Sequence, residues 1–184
     1  MNWLLGVGLL LWGGPPVSSA DKPLTIVATM STFADLAKTV GGERVEASYV
    51  ASPKFNPHFI EPKPSDVLKV KRAALLIHAG LDLELWRGPL LDAAGNLKLF
   101  PGQSGELDLA RGIALLEVPD HPTSRSEGDI HIYGNPHYWV DPENGRKMAQ
   151  AICEKLAAID PAHESDYRRN LTQFLARLDQ KIPE

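Results

Sequence analysis

The chain has 184 residues, of which 43% are hydrophobic and 23% are charged, a composition typical of one globular domain with a substantial core. Its formal charge of −4 gives no support to the binding of nucleic acid or of an anionic membrane surface. Because Cys153 is the only cysteine, an internal disulfide is excluded, and its place in a predicted helix favours a buried thiol.

The first 20 residues have the pattern of a secretory signal peptide. An apolar run at 3–12, broken only by glycines, is followed by Gly-Gly-Pro-Pro and by small residues at 18–20. The run is shorter than the about 20 apolar residues that cross a bilayer. No Lys or Arg precedes it, and an uncleaved N-terminal anchor is the alternative. Since no cysteine stands at the cleavage point, we expect a periplasmic or extracellular protein that begins at Asp21 and is not a lipoprotein.

Downstream of this segment, the sequence predicts alternating strands and helices. Apolar or alternating runs predict strands at 24–29, 44–50, 73–79, 97–100 and 113–118. Helical spacing and proline starts predict helices at 31–40, 83–94 and 142–156, and two more beginning at Pro64 and Pro161. This alternation is typical of a parallel α/β sheet, in which ligands bind beyond the carboxyl ends of the strands.

Two loops share the order Asn-Pro-His, then an aromatic residue, then a helix that starts with proline. The first, at 56–66, contains His58, and the second, at 134–144, contains His137. In the second loop Asp141 is expected to cap the helix that follows. His58 follows the second predicted strand and His137 follows the last one, so both are expected at the ligand-binding edge of the sheet. The two loops therefore predict two walls of one metal site.

Four other histidines are weaker candidates. The long polar loop at 120–136 contains His121 and His131, and we expect this loop to supply auxiliary metal capture, with His131 as a possible third ligand. His78 ends an apolar strand and is more simply explained as a hydrogen-bonded residue at the edge of the core. His163 lies at the start of a helix and is expected to be solvated.

Six segments, in order, resemble the zinc/manganese-type solute-binding proteins of ABC metal importers. They lie at 26–33, 40–45, 56–66, 79–86 and 135–142, and at Asp160-Pro161 followed by Tyr167, Asn170 and Leu178. Members of this family have two α/β lobes joined by a long rigid helix, with the metal held between the lobes. The resemblance implies a signal peptide at 1–20, an N-terminal α/β metal-binding lobe at 21–160 and the start of the connecting helix at 161–184.

The same resemblance assigns the first-lobe metal ligands to His58 and His137 and makes the membrane permease of an importer the partner. The second lobe and its ligands are missing from this sequence, so we expect that lobe, or a second chain, to complete the site. Neutral imidazole suits Zn²⁺ better than Mn²⁺, which prefers oxygen ligands. We therefore expect Zn²⁺, with Mn²⁺ as the alternative.

No enzyme is predicted, because the chain contains no nucleophile elbow, phosphate-binding loop or HExxH helix. Two alternatives to metal capture stay open. An open hydrolytic zinc site would combine two histidines, a bound water and Glu61. A secreted structural or adhesive domain would bind no metal.

Overall fold

The fold is a parallel sheet covered by helices on both faces. The computed structural model describes residues 22–120 and 131–182. The strands are β1 Leu24–Met30, β2 Val45–Ala51, β3 Leu75–His78 and β4 Glu106–Asp108. The helices are α1 Ser31–Gly41, α2 Pro64–Arg72, α3 Arg87–Ala94, α4 Pro142–Ile159 and α5 Glu164–Asp179. The strands pair in the order β2-β1-β3-β4 and every pair is parallel, which confirms the predicted α/β class.

Each face of the sheet buries its own apolar cluster. Ile26 and Ala28 of β1 belong to the cluster that includes residues of α1, α4 and α5, whereas Val27 belongs to the cluster with α2 and α3. All three side chains are fully buried, as expected for a strand covered on both sides. The central strands are therefore packed on both faces and hold in place the loops at their carboxyl ends.

Two of the predicted strands are wrong. The segment at 97–100 forms a 3₁₀ turn at Leu97–Leu99, and the segment at 113–118 is not a strand. Leu116 and Val118 are 71% and 56% exposed, so this apolar run does not enter the sheet. The run instead contacts the second histidine loop, because Leu116 O accepts a hydrogen bond from the Asn135 backbone N–H at 2.8 Å.

The true fourth strand was missed because two of its three residues are acidic. Glu106 and Asp108 flank Leu107 in β4, a composition that does not predict a strand. Glu106 is nevertheless 6% exposed, because its carboxylate contacts the buried His78 of β3. A specific side-chain pair between neighbouring strands therefore replaces the apolar pattern that normally marks a buried strand.

The ends of the later helices follow the sequence signals. Asp141 caps α4 as predicted, since its Oδ1 accepts a hydrogen bond from the Glu143 backbone N–H at 2.9 Å. Gly95, with φ +65°, ends α3 in the left-handed conformation that favours glycine. Tyr167 fixes α5 to the domain, because it is fully buried and its hydroxyl donates to Asp160.

Some predictions concern residues outside the described ranges, and others stay predictions. The signal peptide at 1–20, the expected start at Asp21 and the auxiliary histidine His121 lie outside the described residues. The boundary between a lobe at 21–160 and a connecting helix from 161 also stays a prediction. Over the described ranges, none of the helices combines the length and apolar character needed to cross a membrane.

Candidate metal site

The first wall of the candidate site is the loop that follows β2. Its 3₁₀ turn, Pro57–Phe59, is capped by the Asn56 side chain, which accepts a hydrogen bond from the His58 backbone N–H at 3.0 Å. Trp86 Nε1 donates to Pro57 O at 2.7 Å, and the Trp86 side chain is largely buried. These contacts attach the His58 loop to the segment after β3.

The second wall is the turn before α4. The Asn135 Oδ1 atom is 2.9 Å from both the backbone nitrogen and the ring Nδ1 of His137. Tyr138 is buried and its hydroxyl donates to Ala79 O at 2.7 Å, just past the end of β3. Burial raises the pKa of Tyr138, so this hydroxyl stays protonated and remains a donor. The histidine turn is thus held against the carboxyl end of the sheet.

A buried carboxylate supports the same end of β3. Glu84 accepts hydrogen bonds from the Ala79 backbone N–H at 2.8 Å and from Thr29 Oγ1 at 2.6 Å. Burial is the main cause that raises the pKa of the Glu84 carboxyl. Ala79 is therefore held through its N–H by Glu84 and through its carbonyl by Tyr138, which fixes the anchor of the second wall.

Three imidazoles lie close together between the two walls, those of His58, His137 and His131. His58 Nε2 and His137 Nε2 are 3.5 Å apart, and the His131 ring centroid lies 5.0 Å from that of His58 and 5.2 Å from that of His137. One nitrogen of each ring lies within 4.8 Å of the other two. In a tetrahedral zinc site with Zn–N about 2.0–2.1 Å, two nitrogens are separated by about 3.3–3.4 Å. The His58–His137 separation therefore matches a shared ion.

His137 reaches the site by a route that the sequence did not predict. It was expected to follow the last predicted strand at 113–118, but in the part of the chain that the structure describes the last strand is β4, which ends at Asp108. The turn is positioned by the 113–118 segment and by Tyr138 instead. Asn135 and Tyr138 were not given roles in advance, although an Asn two residues before a backbone N–H is a recognised signal for a side-chain turn.

A second acidic and histidine cluster lies at the sheet edge. His78 Nε2 is 2.8 Å from Glu106 Oε1, and Asp108 is close enough to share an ion with them. The hydrogen bond from His78 is the main cause that lowers the pKa of Glu106 to about 2, and the Arg111 guanidinium lies 3.7 Å from the same carboxylate. Because the imidazole already contacts a buried carboxylate, His78 is a hydrogen-bonded residue at the edge of the core, as expected.

The remaining histidine corrects one prediction. His163 was expected to be solvated, but its side chain is only 16% exposed and Nδ1 lies 2.8 Å from Asp160 Oδ2. The same carboxylate accepts the hydroxyl of Tyr167. His163 is therefore part of the junction between α4 and α5 and lies in neither cluster.

Comparison with known proteins decides the family. The profile of the family described as "ZnuA: Zinc-uptake complex component A periplasmic" matches residues 26–184. The chain belongs to this family. ZnuA-family membership confirms the resemblance seen in the sequence. The relatives are named as substrate-binding proteins of metal ABC transporters and not as enzymes, in line with the prediction.

Individual ZnuA-family relatives cover the chain almost completely but differ in the metal they are named for. The chain is 29% identical to the metal ABC transporter substrate-binding lipoprotein FimA of Streptococcus parasanguinis, over 95% of this chain and 55% of that protein. It is 30% identical to the manganese ABC transporter substrate-binding lipoprotein PsaA of Streptococcus pneumoniae, over 89% and 51%. The chain thus spans about half the length of these relatives.

Solved structures of ZnuA-family proteins have the same fold. A ZnuA deletion mutant with zinc bound superposes with a TM-score of 0.72 at 28% identity, over 86% of this chain and 55% of that one. A further ZnuA crystal structure gives a TM-score of 0.71 at 26% identity, over 86% and 56%. The sheet and helices described above therefore form a ZnuA-like lobe.

The predicted localisation needs a correction. We expected a protein that is not a lipoprotein, but the relatives from Streptococcus parasanguinis, Streptococcus anginosus and Lactococcus lactis are all named lipoproteins. The expectation rested on the lack of a cysteine near Asp21, in a segment outside the described residues. It is therefore wrong for this family.

Proposed function

We propose that the protein binds a divalent transition metal, with a preference for zinc, and delivers it to the membrane permease of an ABC importer. The observation that supports this most directly is the convergence of His58, His131 and His137, with one ring nitrogen from each within 4.8 Å of the others. ZnuA-family membership supports the transport role. The proposed ligands are His58 and His137, with His131 as a weaker, auxiliary third ligand.

The preference for zinc follows from the donor atoms. Imidazole nitrogen suits Zn²⁺, whereas Mn²⁺ is bound best by carboxylate, carbonyl and water oxygens. Among the described residues, the three-histidine cluster contains no carboxylate. The relatives named for manganese show that the family also serves that metal, so the choice depends on this donor set and on the fourth ligand.

Three histidines leave one position of a tetrahedral zinc ion for another group. We propose that water, or a residue from a second lobe or a second chain, fills this position. The half-buried state of all three histidines is consistent with such a group approaching from the solvent side. A site completed in this way exchanges metal more readily than a closed structural site with four fixed protein ligands.

Competition with a chelator tests the proposal. Zinc and manganese affinities are measured for the metal-free protein and for His58→Ala and His137→Ala. Loss of a ligand is expected to weaken zinc binding by more than about 100-fold, beyond the about 10–100-fold typical of residues that only support a ligand. His163→Gln is the matched control, because this histidine lies outside the cluster.

Two results would contradict the proposal. Unchanged zinc affinity in both alanine variants would show that His58 and His137 are not zinc ligands. Tighter binding of Mn²⁺ than of Zn²⁺ by the unmodified protein would overturn the choice of metal while leaving the site in place. Thermal melts of each variant without metal separate loss of a ligand from loss of the fold.

A further inference from the structure

The two Asn-Pro-His loops share one contact, and the second loop shows a further contact with its imidazole. In both loops the asparagine Oδ1 accepts a hydrogen bond from the backbone N–H of the histidine, at 3.0 Å for Asn56 and 2.9 Å for Asn135. In the second loop the asparagine also contacts the imidazole, with Asn135 Oδ1 lying 2.9 Å from His137 Nδ1. The His137 ring is therefore held by its own loop.

The orientation of the Asn135 amide is fixed from both ends. The His137 backbone N–H is a donor and requires the oxygen of the amide. On the other side, Asn135 Nδ2 is 2.8 Å from Glu117 Oε2, and an ionised carboxylate accepts only, so it requires the amide NH₂ group. Both neighbours select the same orientation, and the oxygen therefore faces His137.

This orientation determines which nitrogen of His137 carries the proton. Because Asn135 Oδ1 is an acceptor, His137 Nδ1 must be the donor of the 2.9 Å contact. The lone pair of the neutral ring is then on Nε2, the atom that lies 3.5 Å from His58 Nε2. A hydrogen bond at one ring nitrogen is the usual means by which a protein prepares the other for a metal.

The segment that carries Glu117 is built against this loop. Glu117 has φ +54°, in the left-handed region that residues other than glycine rarely adopt. Its neighbour Leu116 accepts a backbone hydrogen bond from Asn135, and a Cβ on Gly134 would lie 3.0 Å from that same carbonyl oxygen. Close contact of the Leu116 carbonyl with Gly134 and Asn135 therefore holds the Glu117 carboxylate beside the Asn135 amide.

We infer that Glu117 and Asn135 form a positioning relay that sets His137 in the Nδ1–H tautomer before metal arrives. The inference rests on the proposed function, since it assigns the relay to the proposed ligand His137. Neither Glu117 nor Asn135 binds the ion in this scheme. Glu117 orients the amide, the amide orients the ring, and the ring presents Nε2 to the site without first having to change tautomer.

The tautomer is read directly from ¹⁵N chemical shifts and long-range ¹H–¹⁵N correlations of the neutral His137 ring in the metal-free protein. The native protein is expected to show Nδ1–H. Asn135→Ala removes the acceptor and is expected to shift the ring towards Nε2–H. It should also weaken zinc binding by about 10–100-fold.

Two variants make the test specific. Asn135→Asp keeps an acceptor oxygen at the same place and is expected to retain the Nδ1–H tautomer. Asn56→Ala removes the equivalent backbone cap from the other loop and is expected to leave the His137 tautomer unchanged. A His137 ring that stays Nδ1–H in Asn135→Ala would overturn the relay, even if zinc affinity fell, because that fall would then be structural. Because the tautomer is measured without metal, failure of the native protein to bind zinc would contradict the proposed function and leave this readout intact.

Discussion

Histidines occur in two contrasting settings near the carboxyl ends of the strands. His78 is 1% exposed and its Nε2 contacts the Glu106 carboxylate, so its imidazole is already matched to a charge inside the protein. His58 and His137 are half-buried and their Nε2 atoms face each other at 3.5 Å. We infer from this difference that a histidine buried beside a carboxylate serves the fold, whereas the converging imidazoles form the proposed site for a cation.

The largest expected effect comes from breaking the structural pair. His78→Ala leaves the buried Glu106 carboxylate without its imidazole. Removing one partner of a buried pair typically costs about 3–5 kcal/mol, which urea denaturation would measure as a lower midpoint. His163→Gln serves as the comparison at a less buried histidine. Full stability of His78→Ala would show that the contrast between the two settings is wrong.

The pH dependence of stability sharpens the same comparison. The pKa of Glu106 is lowered from 4.5 to about 2 in the folded protein, so its ionised form stabilises the fold. This contribution is complete above about pH 5 and is lost as the pH falls towards 2, and a shift of this size corresponds to about 3 kcal/mol.

Glu106→Gln isolates the effect, because Glu84 and the other acids titrate in both proteins. The difference between the two curves of unfolding free energy against pH should shrink as the pH falls from 5 to 2. A constant difference over this interval would mean that the pKa of Glu106 is not lowered in the folded protein.

Zinc is expected to stabilise the protein through His58 and His137 and not through His78. At a free zinc concentration 100 times the dissociation constant, binding to the folded state adds about 2.7 kcal/mol of stability. A thermal melt should therefore rise with zinc for the native protein and stay unchanged for His137→Ala. His78→Ala, melting from a lower starting temperature, should keep the zinc response. Loss of the zinc response in His78→Ala would show that zinc binding depends on both clusters.

The smallest expected effect concerns the third imidazole. His131 stacks on His58 and lies outside both Asn-Pro-His loops. His131→Ala is expected to weaken zinc binding by about 10-fold, or about 1.4 kcal/mol, less than loss of either loop histidine. Isothermal titration measures this difference. An effect as large as that of His137→Ala would make His131 an equal ligand.

Much of the fold follows from local sequence signals. The buried β-branched run of β1 and the proline starts of α2 and α4 predict the residues at which these three elements begin. The repeated Asn-Pro-His order also predicts correctly that His58 and His137 lie close together. The second histidine lies in a capped turn, which is a local feature that a sequence pattern can describe.

Other features depend on contacts that no local pattern contains. β4 is a strand because Glu106 meets His78 across the sheet, and an acidic strand is visible only once its partner is known. The 113–118 run looks like a strand, but its apolar residues lie against the second histidine loop, where Glu117 meets Asn135. Long-range pairs of this kind, rather than propensity, determine both errors.

The tryptophans on the two walls have an optical consequence. Trp86 donates to the carbonyl of the residue before His58, and the Trp139 ring centroid lies 5.2 Å from that of His137. Each wall therefore has an intrinsic fluorophore next to its histidine loop. In variants that keep only one of these two tryptophans, the fluorescence emission follows one loop at a time, without any attached dye.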